Sequence, residues 1–466
     1  LAYEFKAEFG ELRYNAANRI VAGEWVRKRM SENKDLRVTD RVRLAPLAEE
    51  LCLLPIDAAV SASLLACDPD VIERRAQVNV PKLGCPATLP AVTTRVSHGF
   101  VPDVQVRAIG GRVSPERRVR YLAGLGAGVS FGVHAANLTN LMRGITERVL
   151  YVVRDGALTR CPRPISGVFS RLSGVRKRLL SVARPTPIVA REDYPGLYAG
   201  RKRGIYERAL TSLSIRAIHV RDAWVSTFVK AEKVNLSKKG DPAPRVIQPR
   251  SPRFNLEVGR YLKLFEKELC RAFSAVWGYP VVLKGLNATA VAGWLHRHWS
   301  GFREPVAVGL DASRFDQHVS VEALRWEHSV YNSVFQSAEL RRLLSWQLHN
   351  HGRARVDGHL VSYSVHGCRM SGDINTGMGN CLLMSAMVIA YCESVGINFR
   401  LANNGDDCVL ILEASDLHRL DGIDSWMLDF GFTLTREPPV YVFEQIEFCQ
   451  AQPVFTSTGW RMVRNP

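Results

Sequence analysis

Three aspartates carry the first chemical signal in this sequence. LANNGDDCVLILE (401–413) sets Asp406 and Asp407 between apolar runs, and the apolar run PVAVGLD (305–311) ends on Asp311. Burying a carboxylate without a partner is costly, although Asn-Gly and Gly-Asp are also common turn dipeptides and an acid at a strand end is a common turn residue. If both runs are strands of one sheet, the three carboxylates converge at one edge. Converging carboxylates stay ionised together only when cations neutralise them. Hard divalent ions with oxygen ligands suit the arrangement, Mg²⁺ above all. Two ions about 4 Å apart clamp the attacking and leaving oxygens of an in-line phosphoryl displacement.

Further polar residues stand near these acids in the sequence. In LDASRFDQHVS (310–320), Asp316 follows Asp311 closely enough to bond a ribose hydroxyl, and equally well to cap a helix starting near Ser320. In SGDINTGMGN (371–380), Thr376 and Asn380 lie one helical turn apart on one face. Gly372, Gly377 and Gly379 interrupt that stretch at a cost of roughly 1 kcal/mol each relative to alanine. Close approach by a ligand or another backbone accounts for them, and so does a tight helix contact. Upstream, FVKAEKVNLSKKGDPAPRVIQPR (228–250) alternates cations with turn formers. Lys230, Lys233, Lys239 and Arg245 there suit either a β-ribbon facing a triphosphate or a plain exposed hairpin.

The elements that must hold these groups are legible in outline. The periodicity predicts a buried strand over 305–311, a helix over 320–335, a loop and apolar helix over 371–392, a hairpin over 397–414 and a short helix over 424–432. Strand, helix, hairpin, helix and strand in that order make a split βαβ arrangement, an antiparallel sheet with helices on one face, so the fold class is α+β. Residues 1–66 read as mostly helical and charged, and from Cys67 to about Val101 as an irregular linker.

Composition narrows the function classes. The chain has 466 residues, enough for two or three domains, and a formal net charge of +17. Between Tyr151 and Arg260 there are 23 Lys and Arg against 8 Asp and Glu, so this stretch alone carries +15. Its cations interleave with Tyr, Phe, Gly and Pro, a pattern suited to tracking a phosphate backbone. No apolar run reaches the ~20 residues of a membrane span. LCLLPIDAAVSASLLAC (51–67) is broken by Pro55 and Asp57, and CLLMSAMVIAYC (381–392) reads as a core helix. The ten cysteines show no Cys-x-x-Cys pair and no zinc spacing, which predicts reduced thiols. No signal peptide is evident, and a start at Leu1 suggests a fragment or a processed product.

The blocks KAEK…DPAPRVIQPR, GLDASRFDQHVS, RMSGDINTGMGN and NNGDD, in this order, closely resemble the RNA-dependent RNA polymerases of the tombusvirus family, the carmovirus-like plant viruses in particular. FGVHAANLTNLMRGITERV (131–149), YAGRKRGIYERALTSL (198–213) and EFCQAQPVF (447–455) fit as well. The resemblance runs from about residue 130 to the C-terminus and implies a right-hand fold of fingers, palm and thumb. It implies an uncertain N-terminal region over 1–100, basic fingers over 101–306, a palm over 307–443, and a primer-supporting segment with the start of a truncated thumb over 444–466. Asp311, Asp406 and Asp407 would be the catalytic metal ligands, for two Mg²⁺ ions with Mn²⁺ as a substitute. Asp316, Ser371, Thr376 and Asn380 would select the ribose and nucleotide. Lys230, Lys233, Lys239 and Arg245 would line the triphosphate path. Arg201, Lys202, Arg203, Arg250, Gly372, Phe448, Cys449 and Gln450 would contact RNA.

Two departures stand out. Related polymerases place a lysine after the Gly-Asp-Asp hairpin as general acid, whereas this chain has none after Lys284. Arg436 sits nearby as an electrostatic substitute, since arginine does not readily give up a proton, and His418 is a weaker candidate. Second, only about sixteen residues follow EFCQ, so the chain reads as truncated in the thumb and, by the family pattern, short of a membrane anchor. The implied partners are RNA template and product, nucleoside triphosphates, a viral accessory replication protein, host membranes through segments absent here, and further copies of the chain. The implied location is membrane-associated replication complexes in the host cytoplasm. The rival readings are a reverse transcriptase, which would normally carry a bulky aromatic near Asp316, and a catalytically silent RNA-binding replication factor.

Overall fold

The computed structural model describes residues 86–111, 119–122 and 130–465. The helical expectation for residues 1–66, and the linker expectation as far as residue 85, lie outside the described residues. The described chain divides into a smaller and a larger unit. In the smaller one, Pro86–Thr88 pairs antiparallel with Arg120–Leu122, and Val234–Asn235 pairs with the strand at Phe131 and Gly132. A short helix, Leu236–Lys239, follows and stops at Gly240, whose φ of 61° only glycine adopts readily.

The larger unit begins with strand β1 (Val104–Ala108). Helix α1 (Leu138–Ile145) follows, and the basic stretch after it contains helices α2 (Ser173–Val182) and α3 (Gly200–Ile215). Three two-residue strands, β2 (Val225–Ser226), β3 (Phe228–Val229) and β4 (Val246–Ile247), precede the long helix α4 (Pro252–Trp277). Ser251 caps α4 by accepting from the Arg253 N–H, Pro252 occupies its first turn where no donor is needed, and Gly278 ends it in the left-handed region. Helix α5 (Ala288–Trp299) leads into the central strand β5 (Pro305–Ala312).

After β5 come α6 (Phe315–His318), α7 (Val321–Phe335) and α8 (Ala338–Ser345), then a hairpin of β6 (His349–Val356) and β7 (His359–His366). Helix α9 (Thr376–Ser394) is apolar on every side, and all its residues from Met378 to Cys392 are buried. Such a helix is stable only inside a core. The chain finishes with β8 (Phe399–Asn403), β9 (Asp407–Glu413), α10 (Ile423–Asp429), β10 (Leu434–Arg436) and the hairpin β11 (Ala451–Thr456) and β12 (Gly459–Arg464).

The central sheet has the order β8-β9-β5-β10, with every pair antiparallel. This is the split arrangement expected from the strand and helix order. One core cluster joins its buried side to α4, α7, α9 and α10. The hairpin β6–β7 was not anticipated. It belongs to a second sheet, β1-β7-β6-β2, packed on a separate cluster with α1. Among the described residues the cysteines are free, and no helix is long and apolar enough to cross a membrane.

Candidate active site

Strands β5 and β9 pair in a register that sets Asp311 directly opposite Asp407, while Thr435 of β10 faces Asp311 from the other side. Asp406 sits one residue earlier, in the turn between β8 and β9. That turn is built by Asn403 and Gly405. The fully buried Asn403 amide donates to the Gly405 carbonyl (2.8 Å) and its oxygen accepts from the Gly405 N–H (3.1 Å). Gly405 has φ 104°, which a side chain would strain.

The three carboxylates carry more negative charge than the protein compensates. Burial raises the pKa of Asp311. Burial also raises Asp406, and repulsion from Asp316 and Asp311 adds to the rise. Asp407 is pushed up to about 6, first by burial, with Asp406 and Asp311 contributing, even though the Cys449 N–H donates to its Oδ2 at 2.9 Å. Among the described residues, no three His, Cys, Asp or Glu side chains converge as a preformed metal cage. The donors are nonetheless all carboxylate oxygens, and their raised pKa values mark a site that gains from a hard cation. The residues present fit Mg²⁺ or Mn²⁺.

Cys449 reaches Asp407 through a tight turn. Phe448 and Ala451 exchange backbone hydrogen bonds at 2.9 and 3.1 Å, and both central residues, Cys449 (φ 56°) and Gln450 (φ 59°), are left-handed. This is the geometry of a two-residue hairpin turn. Buried Phe448 anchors it, and Gln450 accepts from Arg464 at 3.2 Å.

Asp316 lies on α6 with both oxygens engaged. Ser371 donates its hydroxyl to Oδ2 at 2.6 Å, and Asn380 donates its amide to Oδ1 at 2.8 Å. Ser320, not Asp316, caps α7, so the capping alternative falls. The Asn380 oxygen in turn accepts from Arg369 Nε at 3.1 Å. Arg369 forms an ion pair with Glu327 of α7, and both side chains are wholly buried. Burial alone would raise Glu327, but the Arg369 charge and hydrogen bonds hold it below the ordinary carboxylate range. Asn375 donates to Glu327 (2.8 Å), and Gln347 donates to Asn375 (3.0 Å). A Cβ at Gly379 would overlap this ion pair, and one at Gly372 would come within 2.7 Å of the Pro249 backbone, so protein neighbours account for both glycines. The Thr376 hydroxyl donates to the Met370 carbonyl (3.0 Å) and shapes the loop.

The basic residues divide. Strands β3 and β4 pair as a short ribbon, and Glu232 draws together Lys230 (2.7 Å) and Arg245 (3.3 Å). Arg245 also lowers the pKa of Asp406, so its charge reaches the acidic edge. Lys233 and Lys239 belong to the smaller unit, where Lys233 lies over the Phe131 ring at 4.2 Å. Arg201, Lys202 and Arg203 are exposed in the first turn of α3. Arg203 pairs with Glu207 (2.8 Å), and Lys202 lies over Tyr198. A cavity of about 330 Å³ there is lined by Tyr198, Lys202, Lys263, Gly372 and Asp373.

Arg250 is a correction. Expected to face RNA, it is 3% exposed, and its guanidinium serves Asp373, the Asn350 side chain (2.6 Å) and the Ala223 carbonyl (2.5 Å). It fastens the 371–375 loop to the second sheet. Arg436 pairs in register with Leu310, hence on the sheet face opposite Asp311, and binds Asp421 at 3.1 Å. His418 lies in the 3₁₀ segment Ala414–Gly422. Sequence reasoning missed Glu437. Its N–H donates to the Gly309 carbonyl (2.9 Å), and its carboxyl fills the space a Gly309 side chain would need. Burial raises its pKa, with Glu447 and Asp311 adding.

A family model described as viral RNA-dependent RNA polymerase matches residues 106–466, and one described as Tombusvirus p33 matches residues 1–58. The chain is 46% identical to the RNA-directed RNA polymerase of Turnip crinkle virus, over 89% of this chain and 51% of that one. It is 42% identical to the enzyme of Cymbidium ringspot virus, over 99% and 56%. Against that of Tomato bushy stunt virus (strain Cherry) the identity is 41%, over 100% and 57%. The chain thus spans about half the length of these curated relatives.

Proposed function

This chain belongs to the viral RNA-dependent RNA polymerase family, and from that premise we propose that it copies plus-strand RNA from an RNA template, adding nucleotides at the edge where Asp311, Asp406 and Asp407 meet. The single observation that carries this reading is the Asp311–Asp407 register, which sets two carboxylates side by side with Asp406 adjoining. Divalent cations held by these three, two Mg²⁺ ions or Mn²⁺ in their place, would supply the charge that activates a 3′-hydroxyl and neutralises the departing pyrophosphate.

The chain's own groups do the positioning. Asp316, fixed by Ser371 and Asn380, accepts from a ribose 2′-hydroxyl and so favours ribonucleotides. Arg245 and Lys230 exchange Glu232 for the triphosphate. Lys202 and its neighbours along α3 follow the template, and the Phe448–Ala451 turn, tied to Asp407 through Cys449, supports the primer end. In this reading the β8-β9-β5-β10 sheet is a palm within a right-hand fold, the basic region forms the fingers, and residues 444–466 start a thumb. Arg436, on the far face, contributes charge and no proton. The p33-like segment would join an accessory replication protein and further copies of the chain at membrane-associated replication complexes in the host cytoplasm. Template-dependent incorporation of a labelled ribonucleotide on a primed RNA, with Mg²⁺ and with chelator, tests the reading. Incorporation that survives chelation would refute it.

A further inference from the structure

The sheet β1-β7-β6-β2 is buried on one face only. Val104, Val225, Ala354, Val356, Val361 and Tyr363 point into the second core, and the Tyr363 ring lies so close over Gly352 that a Cβ there would overlap it. The opposite face is exposed, and none of its outward positions on the four strands carries a carboxylate.

A line of rings crosses this face. The His366 and His349 imidazoles stack at 4.0 Å with 21° between their planes, and His349 and His351 follow at 4.6 Å. Trp224, just before β2, lies 5.4 Å from His351 and carries the Arg353 guanidinium at 4.2 Å. Burial and the neighbouring imidazoles hold His349 below its ordinary pKa, so at neutral pH it offers a ring face and no charge. The cations stand beside the rings. Arg353 and Arg355 on β6 and Arg107 on β1 are exposed, and among the described residues none has a carboxylate partner. The acids nearest in sequence are engaged elsewhere: Asp103 pairs with Arg160 at 2.6 Å, and Asp357 accepts from the Leu138 N–H at 3.0 Å.

Unpaired arginines and a row of ring faces on an open sheet match one ligand chemistry. Phosphates satisfy the cations, and unstacked bases satisfy the rings, as single-stranded nucleic acid does. An acidic peptide would use the arginines and leave the rings idle. Duplex RNA keeps its bases inside and could use only the charge. We propose that this face is a second RNA-binding site, on a different sheet from the catalytic carboxylates, which holds single-stranded RNA by stacking bases on His366, His349, His351 and Trp224 and phosphates on Arg353, Arg355 and Arg107. From His349 to Arg355 the strand runs about 20 Å, room for a few nucleotides.

The test uses the whole chain, a labelled oligouridylate of about a dozen nucleotides, and a matched RNA duplex. Arg353→Ala with Arg355→Ala should weaken single-strand binding roughly tenfold and lower its salt slope by about 1.4. His349→Ala with His366→Ala should weaken it severalfold, and His349→Phe with His366→Phe should restore it because the rings return. Ultraviolet crosslinking with thiouridine-bearing RNA should mark peptides containing His349, His366 or Trp224. Single-strand affinity unchanged in both alanine pairs would overturn the proposal. So would equal losses for duplex and single strand, or crosslinks confined to other peptides. Incorporation on a short primed template with a single unpaired template nucleotide should stay at the wild-type level, which keeps this test separate from that of the carboxylate edge.

Discussion

Asp316 and Asn380 are joined by a 2.8 Å hydrogen bond, and Asn380 is itself held from behind by Arg369 at 3.1 Å. The carboxylate therefore points from a fixed base, its other oxygen held by Ser371 at 2.6 Å. A polar group presented this way rejects a ligand lacking the matching hydroxyl, because the group is then left unpaired.

Asp316→Ala and Asn380→Ala should each lower discrimination between ribo- and deoxynucleotides by roughly ten- to a hundredfold, about 1–3 kcal/mol. Incorporation kinetics with each nucleotide on the same primed RNA give the ratio. Unchanged discrimination in both variants would remove the ribose role.

The Arg369–Glu327 pair beneath them is wholly buried. Glu327→Gln strands the guanidinium without its counter-charge and should cost about 3–5 kcal/mol. Denaturant unfolding measures the loss. A cost below about 1 kcal/mol would mean that solvent reaches the pair.

The acidic edge sets a pH dependence. Asp407 has its pKa raised to about 6 in the folded chain, above the ordinary carboxylate value of about 4. Its ionisation thus works against the fold above pH 6, and protonation relieves that penalty as the pH falls through 6 toward 4. A bound divalent cation offsets the same penalty. Added Mg²⁺ should raise the melting temperature at pH 7.5 and lose most of that effect by pH 5, and Asp407→Asn should shrink the effect at pH 7.5. An equal Mg²⁺ effect at both pH values would contradict the charge balance described here.

Arg245 shares Glu232 with Lys230 and is felt by Asp406. Arg245→Ala should raise the apparent KM for nucleotides roughly tenfold, a loss of about 1.4 kcal/mol, with a smaller change in kcat. An unchanged KM would take it off the triphosphate path.

Much of this arrangement is legible in the residues themselves. The run ending on Asp311 and the hairpin around Gly405 have period and turn chemistry that leave little choice, and their antiparallel pairing brings the acids together. The second sheet was harder to read. Ala354, Val356, Val361 and Tyr363 alternate as a strand should, but histidine, arginine and glycine dilute the signal. Arg250 looked like its exposed neighbours because its partner Asp373 lies 123 residues away. The Cys449 contact is made by a backbone N–H, which has no residue signature. Ser320 takes the cap of α7, which removes the capping alternative for Asp316, a choice that spacing could not make.

The most direct measurement is single-turnover incorporation of one ribonucleotide on a primed RNA template, with wild type, Asp311→Asn and Asp406→Asn compared at saturating RNA, and RNA affinity measured in the same samples. The expected result is Mg²⁺-dependent incorporation by wild type and a loss of at least about a thousandfold, or 4 kcal/mol of barrier, in each variant, with RNA affinity unchanged or slightly higher. Incorporation at near wild-type rates by a folded Asp311→Asn or Asp406→Asn protein would contradict the assignment of catalysis to this edge.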